Sequence, residues 1–127
     1  MEIKYGNKFV LDFPCKDADG NAISNLSSAE EIYFQIKETA EAEDTFISLT
    51  KSDGAITINT PATGTVRITG NADDWCDRDE IDFVNGEFTA FWGLEIKFSD
   101  EDVREINITE YTIVIDTVTI LEDVVQN

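Results

Sequence analysis

Between Leu49 and Ile68 the chain reads LTKSDGAITINTPATGTVRI. Short segments of alternating apolar and polar residues are separated by Ser52-Asp53-Gly54 and by Thr60-Pro61-Ala62-Thr63-Gly64. Alternation with a period of two, punctuated by Gly, Pro, Asn and Asp, is the pattern of half-buried strands joined by tight turns. Breakers at this spacing leave no room for a helix of ordinary length.

The same rhythm runs through most of the chain. Lys8 to Lys16 places Phe9, Leu11 and Phe13 on one face and Lys8, Val10 and Asp12 on the other. Pro14 stands near its end, where an edge or bulge tolerates proline. Asp17-Ala18-Asp19-Gly20-Asn21 is turn chemistry. From Glu31 to Lys37, Ile32, Phe34 and Ile36 alternate with Tyr33, Gln35 and Lys37. After the acidic stretch Glu38 to Asp44, read as a hairpin loop, strands are expected at Thr45–Lys51, Ala55–Asn59 and Thr65–Thr69. Ile47, Leu49, Ile56, Ile58, Val66 and Ile68 face inward. Asn71 to Trp75 could open a short helix capped by Asn71. Glu87 to Phe98 is the longest strand, with Phe88, Ala90, Trp92, Leu94, Ile96 and Phe98 on its core face. Val103 to Ile108 reads as a strand, and Thr112 to Leu121 as the last one. The apolar phase changes around Thr109 to Tyr111, which calls for a bulge or a turn there.

Seven or eight strands are expected, with no internal repeat and no linker rich enough to divide the chain. The expectation is a single all-β domain over 1–127, with 122–127 a flexible tail. Its architecture would be an immunoglobulin-like antiparallel β-sandwich without the Cys-Trp-Cys core of antibody domains. Neighbouring strands would pair antiparallel through short loops. The predicted core includes Phe34, Ile36, Ile58, Val66, Trp92, Leu94 and Ile115.

Charge narrows the partners. Nine basic residues against 27 acidic ones leave a net charge of −18 over 127 residues. Phosphate backbones and anionic membrane surfaces are repelled by such a field, so neither nucleic acid nor membrane is an expected partner. No apolar stretch has the length of a membrane span or of a signal-peptide core. A product used in the cytoplasm, or exported within an assembled particle, is expected.

The residue inventory argues against catalysis. The chain has no histidine, which removes the usual general base and the commonest metal ligand. It also excludes Ser-His-Asp and Cys-His nucleophiles. Cys15 and Cys76 are read as free thiols, and two cysteines without histidine make a poor zinc site. Acidic neighbours raise the Cys76 thiol when a nucleophile needs it lowered. Asp73, Asp74, Asp77, Asp79, Glu80 and Asp82 crowd one loop, yet their spacing fits no dedicated calcium loop. Asp17-Ala18-Asp19-Gly20 starts like an EF-hand, but Ser28 stands where its glutamate belongs. Neither metal nor other cofactor is expected. Tyr33 and Phe91 lie on the polar parity of their strands and, with Trp75, are the candidate interaction residues. Exposed rings on a sheet can stack on sugars or form a protein interface. The competing reading has the 70–85 loop covering them.

The order of signals resembles a small immunoglobulin-like module common in phage tail and baseplate proteins, including the N-terminal domain of baseplate upper proteins. Asp17 to Asn21 is followed by Ile23-Ser24-Asn25-Leu26 and the strand around Ile32 to Ile36. Leu49 to Gly54 leads into Ile56-Thr57-Ile58. Gly64 to Thr69 precedes an acidic Ala72-Asp73-Asp74-Trp75. Gly86-Glu87-Phe88 opens the long strand, and Val118-Thr119-Ile120 closes the last. The long acidic segment from Trp75 to Asn85 departs from the short turn usual in that module. The resemblance implies a non-enzymatic structural or adaptor role, with other virion or tail proteins as partners and the virion, or host cytoplasm during assembly, as location. A carbohydrate-binding module using exposed aromatics, with or without calcium, is the rival.

Overall fold

The computed structural model describes residues 1–16, 20–23, 26, 29–60, 64–98 and 110–122. At residues 60, 98 and 110–115 the backbone alone is described. Among these residues eight strands form two sheets: β1 (Glu2–Lys4), β2 (Phe9–Pro14), β3 (Ala29–Lys37), β4 (Ile47–Thr50), β5 (Ile56–Thr60), β6 (Thr65–Gly70), β7 (Glu87–Phe98) and β8 (Glu110–Leu121). The larger sheet has the order β1-β8-β7-β3-β4 and the smaller β2-β6-β5. The molecule is an all-β sandwich, as the alternation requires.

The parity read from sequence decides which side chains meet between the sheets. Ile32, Phe34 and Ile36 of β3 are fully buried, as are Ala90, Leu94 and Ile96 of β7. Val66 and Ile68 of β6 and Ile56 of β5 close the core from the smaller sheet. Ile58 is partly buried against them. Phe13 of β2 meets Trp92 edge to face at 4.9 Å, and Phe9 meets Phe34 at 6.2 Å. Such tilted ring pairs add to the area that burial removes from water. Phe9 pairs across the ladder with Gly70, and its ring occupies the space a side chain at 70 would need: a Cβ there would stand 2.3 Å from it. Ile115 corrects the predicted core: it pairs with Gly93, a position of the outward face, while Asp116, Val118 and Ile120 take the core parity. The side chains of Ile115 and Phe98 lie outside the described ones.

Two expectations are corrected or relocated, a third is narrowed, and one turn is new. Pairing is not antiparallel throughout, because β1 runs parallel to β8, with Glu2, Ile3 and Lys4 opposite Thr119, Ile120 and Leu121. A parallel partner has to come from far along the chain, and here the amino-terminal strand supplies it. The phase change sits later than expected. Leu94 faces Val114 while Glu95 faces Thr112, so Ile113 is the extra residue of a bulge. Asn71 opens only a short 3-10 turn, Ala72–Asp74, where the Asn71 amide donates to the Asp74 carboxylate at 2.8 Å. The long strand also has a return partner unseen in the sequence: Asn85 and Gly86, at φ 55° and 82°, turn Val84 back onto Glu87. An Asn-Gly pair with both φ values positive is the preferred two-residue hairpin turn. The strand read at Val103–Ile108, the turn at Asp17–Asp19, and most of the tail lie outside the described residues.

Candidate interaction face

The outward face of the larger sheet carries the residues of the candidate site. In the β3–β7 ladder Tyr33 lies opposite Glu95, Gln35 opposite Gly93, and Lys37 opposite Phe91. Direct cross-strand partners share a face, so these six residues form one patch on the side away from the core. Gly93 supplies no side chain in mid-strand, and a hollow of about 60 Å³ opens over it. Tyr33, Gln35, Lys37, Ala40, Phe91 and Glu95 line it, and the register sets Tyr33 and Phe91 to opposite sides of Gly93 along the strands. The rings are half-buried. Four positions of the ladder separate their pairs, with the Gln35–Gly93 pair midway between them.

The patch is anchored through its neighbours along the strands. Gln35 donates from Nε2 to Ser48 Oγ of β4 at 3.3 Å. Phe34, Ile36, Trp92 and Leu94, the neighbours of the patch along each strand, are pinned in the core. Lys37 and Glu95 put opposite charges at opposite ends. The hollow is far smaller than the roughly 300–1,000 Å³ of pockets that enclose small molecules. It has room for one inserted side chain, with two rings to pack against it.

Trp75 does not join this face, which corrects its place among the candidates. It is only 8% exposed. The 3-10 turn delivers it to the margin of β4, where it bridges Ile47 and the Cys76 amide donates to the Phe46 carbonyl at 2.8 Å. Its ring packs edge-on against Tyr5 at 5.4 Å and Phe9 at 6.1 Å, and its indole N–H donates to the Asn7 carbonyl at 3.4 Å. The 70–85 segment therefore uses its tryptophan to strap one end of the sandwich. It lines no part of the hollow.

The remaining chemistry-bearing groups are structural in their surroundings. Cys15 and Cys76 are both free. Burial pushes each thiol up to about 11, and for Cys76 Glu80 and Asp77 add to the effect. A thiol so raised stays protonated near neutrality, the opposite of an activated nucleophile. In the acidic loop Glu80 accepts from the Asp77 amide at 3.0 Å, and Arg78 pairs with Glu122 and lies 5.5 Å over the Phe83 ring. Among the described residues no three Asp, Glu, Cys or His side chains are grouped to hold a metal ion. No helix there is long and apolar enough to cross a membrane. No known family model matches the chain, and no curated protein matches it.

Proposed function

We propose that the chain is a non-enzymatic structural or adaptor module of a phage or prophage tail or baseplate, working through protein–protein contact. The observation that carries the contact reading is the Tyr33–Gly93–Phe91 hollow. It is a half-buried aromatic notch, sized for one side chain and set in a sheet face. Interfaces concentrate their binding energy in small pockets of this kind, flanked by aromatics. The tail or baseplate assignment rests on the resemblance in turn and strand order. The net charge of −18 favours a basic surface on the partner. Lack of histidine and the raised thiols support the absence of catalysis.

The rival, carbohydrate binding, draws on the same two rings, since aromatic faces also stack on sugars. A glycan array and a binding titration against purified tail and baseplate proteins separate the two. Binding to one of those proteins, weakened at least tenfold in both Tyr33→Ala and Phe91→Ala, supports the proposal. Retention on a polysaccharide that Phe91→Ala abolishes, with no binding to the virion proteins, overturns it in favour of the module for sugars.

A further inference from the structure

The β8 strand has an unequal pair of edges. Its inner edge is laddered to β7 from Glu110 to Leu121. Its outer edge meets β1 only at Thr119 to Leu121, and among the described residues no strand continues that cover. The hydrogen bonds give the direction of the groups left over. The Thr119 amide donates outward to the Met1 carbonyl at 3.0 Å, and the Leu121 carbonyl accepts from the Tyr5 amide at 2.9 Å. Alternate residues of a strand point their peptide groups the same way, so the next outward donor is the Thr117 N–H. That donor is already taken: Asp116 Oδ1 accepts from it at 2.7 Å.

Asp116 is anomalous in its position. It lies opposite Trp92, which is 4% exposed, and shares the parity of the buried Val118 and Ile120. A core-parity position near a sheet edge thus holds an exposed carboxylate. The sequence around it sharpens the point. Tyr111 to Leu121 reads YTIVIDTVTIL, rich in β-branched residues, with no proline or glycine and with Asp116 as its single charge. Segments of that composition pair readily with copies of themselves unless a charge interrupts them.

We propose that Asp116 guards the outer edge of β8 against strand addition by a second copy of this chain. It does so in two ways. Its carboxylate occupies the first ladder donor beyond β1, and it places a charge that an incoming strand would have to desolvate. The occupant excluded is a second β8, because the uncharged, β-branched run on either side of Asp116 suits pairing with its own copy and the Thr117 amide is the donor such a ladder needs. This inference is independent of the aromatic hollow and of any tail or baseplate role.

The test compares the wild type, Asp116→Val, Asp116→Lys and the double variant Asp116→Val with Thr117→Pro. Masses are read by light scattering in about 0.15 M salt, where charges are screened beyond ~8 Å, with circular dichroism to establish the fold. The wild type and Asp116→Lys are expected at the mass of one chain, and Asp116→Val at twice that mass or more. Proline at 117 removes the outward donor without touching the β7 ladder, so the double variant is expected back at one chain. A folded Asp116→Val that stays monomeric overturns the proposal, as does a double variant that stays associated or a wild type already associated through β8. A second readout needs no variant. The Thr117 amide of the wild type should exchange with solvent more slowly than an open amide, on the order of tenfold; exchange at the open rate refutes the hydrogen bond on which the guard depends.

Discussion

Replacing Trp92 with alanine tests the parity of the central strand where it matters most. The indole is 4% exposed and stacks against Phe13 at 4.9 Å and Phe34 at 5.8 Å. A tryptophan hides roughly 200 Å². At about 25 cal/mol per Å² its removal from the core forfeits some 5 kcal/mol, and the two ring contacts add to that, ~0.5–1.5 kcal/mol each. Alanine's own burial and partial collapse of the neighbours return part of the loss. The expected cost is therefore about 3–5 kcal/mol, in line with aromatic-to-alanine changes in other cores. For a domain whose whole stability lies in the range of roughly 5–15 kcal/mol, that is a drop of some 10–20 °C in Tm. The control is its neighbour. Phe91→Ala acts on the outer face, where the ring is half in solvent, and should cost no more than about 1 kcal/mol. Urea unfolding followed by tryptophan-independent circular dichroism measures both, with equal m values showing that the same surface is exposed on unfolding. A Trp92→Ala cost under about 1 kcal/mol, or one smaller than that of Phe91→Ala, would refute the inward assignment of even-numbered residues in β7.

Other outcomes follow from single features. Gly64 has φ 68°, and a Cβ there would lie 2.8 Å from the Cys15 carbonyl and 2.9 Å from that of Ile23. Gly64→Ala should lower the unfolding free energy by about 1–3 kcal/mol, more than a surface substitution does, and so lower the urea midpoint; an unchanged midpoint counts against this turn. Cys15 should resist thiol reagents at pH 8 until denaturant is added, since its thiol is fully buried and raised to about 11; fast native labelling of Cys15 would contradict its burial. Arg67 donates in a bidentate pair to Asp12 and holds that carboxyl below its usual value. A lowered carboxyl stabilises above its unfolded pKa, and the benefit is lost as pH falls through the folded value. Wild type and Asp12→Asn should therefore melt apart at pH 7 and converge in strong acid, and a constant gap would show the pair to be inert. Finally, six acidic side chains within 73–82 are exposed, so Tm should rise between about 0.01 and 0.15 M salt as their repulsion is screened; a flat response would mean the loop is not under charge strain.

The strands were legible because a period of two is a local property. β7 runs Glu87–Phe98, as its alternation indicates, and Tyr33 and Phe91 come out on the outer face because their neighbours Phe34 and Trp92 are the better core residues. What escaped reading depends on contacts the sequence does not encode locally. β1 is three residues long, too short for alternation to announce it, and its parallel partner begins more than a hundred residues later. Trp75 sits in a polar run whose composition suggests solvent, yet its burial is decided by Tyr5, Phe9 and the free margin of β4. The bulge was signalled by the phase change but placed at Thr109 to Tyr111, because Ile113, Val114 and Ile115 are consecutive apolar residues and do not mark which of them is the extra one. The hollow was half visible: the two rings were found from parity, whereas the role of Gly93 emerged only from the register that sets it between them. The Asn85-Gly86 turn was there to be read, since that dipeptide is a strong hairpin signal.

The parallel union of β1 with β8 also governs the order in which this chain can be completed. Glu2 leaves a ribosome well over a hundred residues ahead of Thr119, and ribosomes add roughly 5–20 residues per second. Until β7 and β8 are made, the larger sheet can therefore hold only β3 and β4, with β1 already synthesised but unseated. β3 and β4 can pair early, as can β5 and β6, but β3 has to wait for β7, and β1 for the final residues of β8. Contacts this distant in sequence make folding slow. Closure of the sheet waits on the second half of β8, and a chain shortened before Thr119 would leave β1 without a seat.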